Sequence, residues 1–195
     1  MTEPDQKADL RRYLQEAREA LLWKLDGLSE YDARRPLVPT GTNLLGLVKH
    51  LAMVELGYFG ETFGRPFPDK LAWDESEPGS DMFATAGESR ELVTGTYRRA
   101  WAHADATIDA LALDAVGHVP WWPPERNEVT LHRILVHMIA ETCQHGGHAD
   151  IVRELIDGAI GLNPQRPNVP SEDAAWWSAY RDRVERAARE AASEQ

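Results

Sequence analysis

Apolar side chains recur at three- and four-residue intervals along several long segments of the chain, which is the spacing of one face of an α-helix. The first segment predicts a helix over about residues 5–28, with an inward stripe of Leu10, Leu14, Ala17, Leu21, Leu25 and Leu28. The second predicts a helix that begins after Thr42, a suitable N-cap, and ends near Phe63. Its stripe consists of Leu44, Leu47, Leu51, Val54 and Tyr58.

Three further helices follow from the same pattern. One is predicted over about residues 89–113, and the next over about 130–157 with Gly158 as its C-cap. A final helix is predicted over about residues 171–192, beginning at Ser171 as its cap and carrying several aromatic side chains.

Two segments cannot continue these helices. Residues 64–88 contain three prolines and the turn pair Pro78-Gly79, and residues 119–124 read Val-Pro-Trp-Trp-Pro-Pro. No segment shows convincing strand alternation. The pattern therefore predicts an all-α protein, with residues 1–195 forming one four-helix bundle domain with an additional C-terminal helix. The short first connection favours antiparallel packing of the first two helices, and the loop over 64–88 is long enough for a crossover.

Composition narrows the range of functions. A formal net charge of -11, without a basic stripe, argues against nucleic-acid binding, which needs Lys and Arg to neutralise phosphates. No apolar run is long enough to span a bilayer, and the first ten residues lack the features of a signal peptide. The single cysteine, Cys143, fits a reducing compartment, so we expect a cytoplasmic protein.

The core-facing side of the fourth helix is unusual, because titratable residues interrupt its apolar stripe. At about 100° per residue, this face carries Ile134, His137, Glu141, His145, His148, Val152 and Leu155. Burying an unpaired charge is costly, so such groups normally pair with each other or coordinate a metal. Four of them on one inward face therefore indicate a site.

A metal ion accounts for this pattern. Glu141 and His145 are four residues apart, so their side chains lie one turn apart on the same face and can converge on one ion. His50 is the best third ligand, because it lies within the buried stripe of the second helix. Two imidazoles and one carboxylate suit Zn²⁺, Ni²⁺, Fe²⁺ or Mn²⁺ and leave coordination positions open.

Each of these residues also has a simpler explanation. His50 could be a hydrogen-bonded core residue, Glu141 and His145 could form an ion pair, and the whole stripe could be an internal hydrogen-bond network. His148 could be an additional ligand, a residue that orients a ligand, or a substrate contact. His137 could carry protons or belong to the core. Four tryptophans could line a pocket, although burial under loops is the default explanation: Trp121, Trp122, Trp176 and Trp177.

At these residues the chain resembles the DinB/YfiT-like superfamily of metal-dependent helical bundles. The resemblance is carried by residues 44–51 (LLGLVKHL) and 137–150 (HMIAETCQHGGHAD), and residues 173–177 (DAAWW) resemble an actinobacterial branch. It implies an up-down-down-up four-helix bundle, frequently a homodimer, with metal ligands at the positions of His50, Glu141 and His145. Most relatives have His where this chain has Glu141, and a carboxylate there is similar to mycothiol-dependent maleylpyruvate isomerase.

The resemblance also implies two kinds of function. The first is a metal-dependent transferase or isomerase that uses a small thiol such as mycothiol as co-substrate and acts on small electrophiles, with His148 or His137 as proton carriers. The second is a non-catalytic metal-binding or stress-related protein. The residues alone do not choose between these two alternatives.

Overall fold

The computed structural model describes residues 5–69, 71, 73 and 77–193. Parts of the predicted loop over 64–88 and both ends of the predicted domain lie outside these ranges. The helices are α1 (Gln6–Trp23), α2 (Glu30–Arg34), α3 (Leu44–Glu55), α4 (Arg90–Ala110), α5 (Leu131–Asp157) and α6 (Ala174–Ser193). They confirm the prediction of an all-α bundle with an additional C-terminal helix. Within the described ranges, no helix is both long and apolar enough to cross a membrane.

Helices α3 and α4 run parallel to each other. Lys49 in α3 contacts Glu88 just before α4, and Gly60, beyond the end of α3, lies against His103 in the second half of α4. Two helices can be consecutive in the sequence and parallel only if the connection returns along the bundle. The loop over residues 64–88 is therefore the crossover that its length predicted.

Helix α5 runs antiparallel to α3, because His50 lies beside His145 whereas Tyr58 lies beside the earlier residue His137. Helix α1 packs along α5 and is antiparallel to α4. The start of α1 reaches the end of α4 through an ion pair between Arg11 and Asp109. The resulting order is up-down-down-up, as the resemblance implied.

Several helix ends differ from their predicted positions. Helix α1 ends at Trp23, five residues early, and the chain then turns through Gly27, whose φ of 74° favours glycine. Asn43, and not Thr42, is the N-cap of α3: its side chain accepts a hydrogen bond of 2.8 Å from the Gly46 amide. The side chain of Asn43 also has an NH₂ group that donates hydrogen bonds, so this residue can bind a neighbouring loop while it caps the helix.

The second predicted helix changes its winding before it ends. A π-helical turn over Leu56–Gly60 and a 3₁₀ turn over Glu61–Phe63 follow α3. Such turns are frequent at functional sites. The predicted end at Phe63 therefore agrees with the structure, although regular α-helix stops at Glu55.

Helix α5 has the predicted bounds, with Thr130 as N-cap and Gly158 in the left-handed conformation as C-cap. Gly146 and Gly147 lie inside α5, where glycine lowers helix stability, but they neither split the helix nor lie against another described segment. The helix is continuous, and a Cβ added at either glycine would meet nothing within 4 Å.

Two further features were not predicted. Val116–His118 and Glu128–Thr130 form a small antiparallel sheet, which is too short for hydrophobic alternation to reveal. Helix α6 is capped by Asp173, whose carboxylate accepts a hydrogen bond of 2.9 Å from the Ala175 amide. The predicted cap, Ser171, lies two residues earlier and accepts a hydrogen bond from the Asp173 amide.

A buried ion pair joins α1 to α3. Arg18 donates two hydrogen bonds to Glu55, of 2.9 and 2.7 Å, and both side chains are fully buried. Arg18 also donates to Asp105 of α4 over 3.0 Å. Three helices of the bundle therefore meet at one guanidinium group, whose charge is compensated on two sides.

We expect Arg18→Met to lower the free energy of unfolding by about 3–5 kcal/mol, because it leaves the charge of Glu55 buried without its partner. Glu55→Gln should lower it by a smaller amount, because Arg18 still pairs with Asp105. The double variant Arg18→Met/Glu55→Leu should recover part of this loss. Urea denaturation followed by circular dichroism measures both. Arg12→Met, on the exposed side of the same helix, is the matched control and should leave the midpoint nearly unchanged. Single variants as stable as that control would contradict the prediction.

Candidate metal centre

The three predicted ligands lie together between α3 and α5. His50 comes from α3, and Glu141 and His145 come from successive turns of α5. Each residue offers one ligand atom, and these atoms all lie within 4.8 Å of one another. The Glu141 Oε1 atom lies 3.1 Å from His145 Nε2 and 3.5 Å from His50 Nε2. The two imidazole rings meet edge to face, with centroids 4.9 Å apart.

Local packing fixes the direction of His50. Its neighbours Leu47, Val48 and Leu51 are buried in the core, whereas its own side chain keeps 18% of its surface exposed. His50 therefore stands at the edge of the core, where a cavity begins. An imidazole in this place can contact a bound ion or molecule in the cavity while the backbone of α3 stays packed against the core.

Asp81 is a functional candidate that the sequence did not identify. Its Oδ2 atom lies 2.6 Å from His50 Nδ1. A carboxylate accepts hydrogen bonds, so Nδ1 is the donor to Asp81, and the other ring nitrogen, Nε2, lies on the side of Glu141. Asp81 lies in the loop between α3 and α4, where no helical periodicity marks it. The only signal was the length of that loop, since long loops in compact proteins are often functional.

Burial affects the charge of His145. It lowers the pKa of this imidazole, and the neighbouring His50 lowers it further, although Glu141 acts in the opposite direction. A lowered pKa keeps the ring neutral at neutral pH, and neutral imidazole is the form that binds metals. The site thus offers two imidazole nitrogens and one carboxylate oxygen to a cation.

The structure does not bring His148 into this cluster. Its Nδ1 atom lies 3.4 Å from His145 Nδ1, which is the ring nitrogen on the side away from Glu141. His148 is also exposed. It is therefore placed to contact the back of the His145 ring.

His137 lies one turn before Glu141, and it belongs to an aromatic group. Its ring centroid is 4.6 Å from that of Tyr58 and 5.6 Å from that of Trp122. The pKa of His137 is lowered, mainly by burial. Glu141 acts in the opposite direction, and Arg133 adds to the lowering. Among the ends of the predicted stripe, Ile134 and Val152 are buried, but Leu155 is 61% exposed, so the core-facing side stops before the end of α5.

A cavity of about 850 Å³ opens directly onto His50 and Glu141. Its walls combine polar and apolar side chains, and the aromatic ones include Tyr58, Phe67, Trp73 and Trp121. Of the four tryptophans considered above, Trp121 thus lines the cavity, and Trp122 lies beside it, donating a hydrogen bond of 3.2 Å to the Tyr58 hydroxyl. The other two lie on α6, where Trp176 stacks on Tyr180.

The charged groups around this cavity are acidic. Its lining includes the carboxylates of Glu61, Asp69, Asp81 and Glu141. Among the lining residues that the structure describes, none is Lys or Arg. The cavity therefore suits a cation at its base and a ligand without negative charge above it.

Comparisons with known proteins agree with this fold. A solved structure, that of a conserved protein from Enterococcus faecalis, has 20% sequence identity, covers 80% of this chain and 99% of its own, and gives a TM-score of 0.55. No curated protein matches the chain. A family model described as mycothiol S-transferase matches residues 9–158, which include all four bundle helices except the first residues of α1. The match confirms the resemblance to DinB/YfiT-like proteins, and the chain belongs to the mycothiol S-transferase family.

Proposed function

We propose that this protein is a metal-dependent thiol S-transferase that uses mycothiol as co-substrate. In this proposal His50, Glu141 and His145 hold a divalent cation, and a small electrophile enters the cavity beside it. The observation that carries the proposal is the convergence of ligand atoms from two antiparallel helices at the base of that cavity. The family match supports the choice of thiol.

The donor set fits a divalent cation. Ligand atoms that lie about 2.0–2.2 Å from Zn²⁺ stand roughly 3.3–3.6 Å apart in a tetrahedral site. The distances of 3.1 and 3.5 Å from Glu141 Oε1 to the two imidazole nitrogens are close to this separation. The same set also accommodates Ni²⁺, Fe²⁺ and Mn²⁺. Three protein ligands leave at least one position open towards the cavity.

A coordinated thiol loses its proton, and the thiolate is the nucleophile in S-transfer. The chain must then accept the proton of the thiol. His137 is suited to this role, because it lines the same cavity one turn from Glu141 and its lowered pKa leaves it neutral. His148 is less suited, because it lies behind the His145 ring.

The first prediction concerns metal binding. We expect one divalent cation per chain in protein loaded with Zn²⁺ or Ni²⁺. His145→Ala or Glu141→Gln should weaken metal binding by about 100-fold or more, because each variant removes one of three ligands. Elemental analysis gives the stoichiometry, and competition with a chromophoric chelator gives the dissociation constant.

The matched control for this prediction is His132→Ala, an exposed imidazole on the same helix outside the cluster. It should bind the metal as tightly as the wild type. The proposal fails if the wild-type protein retains no metal and gains no thermal stability from Zn²⁺ or Ni²⁺. It fails equally if the ligand variants bind like the control.

The second prediction concerns the substrate. We expect thiol conjugation to depend on mycothiol and to favour a neutral electrophile over a matched one that carries a carboxylate, because the cavity lining is acidic. In the variant Glu61→Gln/Asp69→Asn, kcat/KM for the anionic electrophile should rise about two- to fivefold, since these carboxylates are exposed and partly screened. Glu154→Gln, an exposed carboxylate near the end of α5, is the control.

Turnover assays with both electrophiles and several thiols decide this point. Equal rates with neutral and anionic electrophiles, unchanged by the double variant, would contradict the role of the acidic lining. A metal-loaded protein that conjugates no electrophile with any thiol would remove the transferase proposal and favour the non-catalytic metal-binding alternative.

A further inference from the structure

The segment that carries Asp81 is held onto α3 by unusually specific contacts. Asp81 lies in a 3₁₀ turn over Ser80–Met82, in the crossover loop. Most side chains of residues 77–87 are at least partly exposed, so the segment has little core of its own. Its position therefore depends on neighbouring helices: Arg34 of α2 donates to carbonyls at its C-terminal end, and residues of α3 bind the turn around Asp81.

The strongest of these contacts comes from Lys49, the residue before His50. Its amino group is buried and donates hydrogen bonds of 2.9 and 3.1 Å to the carbonyls of Ser80 and Phe83, on either side of Asp81. It also pairs with the Glu88 carboxylate over 2.9 Å. A lysine is rarely buried, and here all three of its protons have partners.

The backbone of the segment also touches α3 directly. The Asn43 side chain donates a hydrogen bond of 3.1 Å to the Met82 carbonyl. A Cβ added at Gly46 would stand only 1.8 Å from the same carbonyl oxygen. The turn therefore rests on the first turn of α3 where only glycine leaves room for it.

Successive residues of one helix thus hold the same turn in two ways. Lys49 binds its main chain, and His50 binds its Asp81 side chain. We infer that Lys49 and Asp81 are positioning residues for His50: Lys49 places the turn, and Asp81 fixes the proton on Nδ1 so that Nε2 faces Glu141. The effect of these two residues on metal affinity rests on the proposed function, whereas their effect on the His50 tautomer does not.

The first test reads the His50 tautomer in the metal-free protein. At about pH 8, where an ordinary imidazole is neutral, long-range ¹⁵N–¹H spectra should show His50 protonated at Nδ1 in the wild type. Asp81→Asn keeps an acceptor oxygen and should retain this tautomer. Asp81→Ala removes the acceptor and should shift His50 towards protonation at Nε2. A His50 tautomer that is unchanged in Asp81→Ala overturns the role of Asp81.

The second test measures Zn²⁺ affinity by chelator competition. Asp81→Ala should weaken binding roughly 10–100-fold, as is usual when the partner of a metal-bound histidine is lost. Lys49→Met should weaken it about tenfold and should add little in the Asp81→Ala background, because both act through one contact. Gly46→Ala displaces the same turn without removing a polar group, so it provides an independent variant if Lys49→Met does not fold.

Lys24→Met is the matched control. Like Lys49, Lys24 is buried and pairs with a carboxylate, that of Asp150, and with a main-chain carbonyl. It lies outside the cluster of His50, Glu141 and His145. It should alter neither the tautomer nor the affinity. If Lys49→Met and Gly46→Ala both bind Zn²⁺ like this control, the role of Lys49 is wrong. If the wild type binds no metal, the proposed function fails, and the tautomer measurement still decides the role of Asp81.

Discussion

The cost of burying charge governs the interior of this bundle. A carboxylate or guanidinium taken out of water must meet an opposite charge and enough hydrogen bonds, or its burial destabilises the fold. Two clusters satisfy this requirement differently. Around Arg18, a guanidinium lies between the carboxylates of Glu55 and Asp105, and the charges are compensated by protein atoms alone.

Around His50 the balance is incomplete. The carboxylates of Asp81 and Glu141 pair only with imidazoles, and no Lys or Arg in the described part of the chain pairs with either. With both rings neutral, which is the form of imidazole that binds metals, the cluster would carry a formal charge of about −2, and one divalent cation would neutralise it. The same constraint that makes the Arg18 cluster a structural element therefore favours a cation in the other cluster.

The predictable part of this arrangement follows from periodicity. The spacing of Leu44, Leu47 and Leu51 predicts that His50 faces inward, although the structure places it at the edge of the core. The four-residue separation of Glu141 and His145 places both on one face of a helix. Periodicity cannot find Asp81, because its position depends on a loop that Lys49 and Asn43 fold back onto α3. Contacts between segments 31 residues apart leave no pattern in either segment alone.

The same reasoning explains where the pattern of α5 misleads. A projection at a constant angle treats the whole of α5 as facing one core. A straight helix, however, rotates gradually relative to a repeating stripe. The helices packed against α5 also end before it does. Leu155 falls on the predicted core face and is exposed, whereas Val152, one turn earlier, is buried. His137, Glu141 and His145 lie in the middle of α5, where α3 covers it, and they remain partly buried, whereas His148 is already exposed.

The position of the cluster, and not only its composition, bears on the chemistry. A site closed on every side would hold a structural ion, because substrate could not reach an open coordination position. Here α3 and α5 close one side, and Tyr58, which lies in the π-helical turn after α3, forms a cavity wall with Trp121. The cavity beside the cluster therefore gives a small molecule access to the place where a cation would bind.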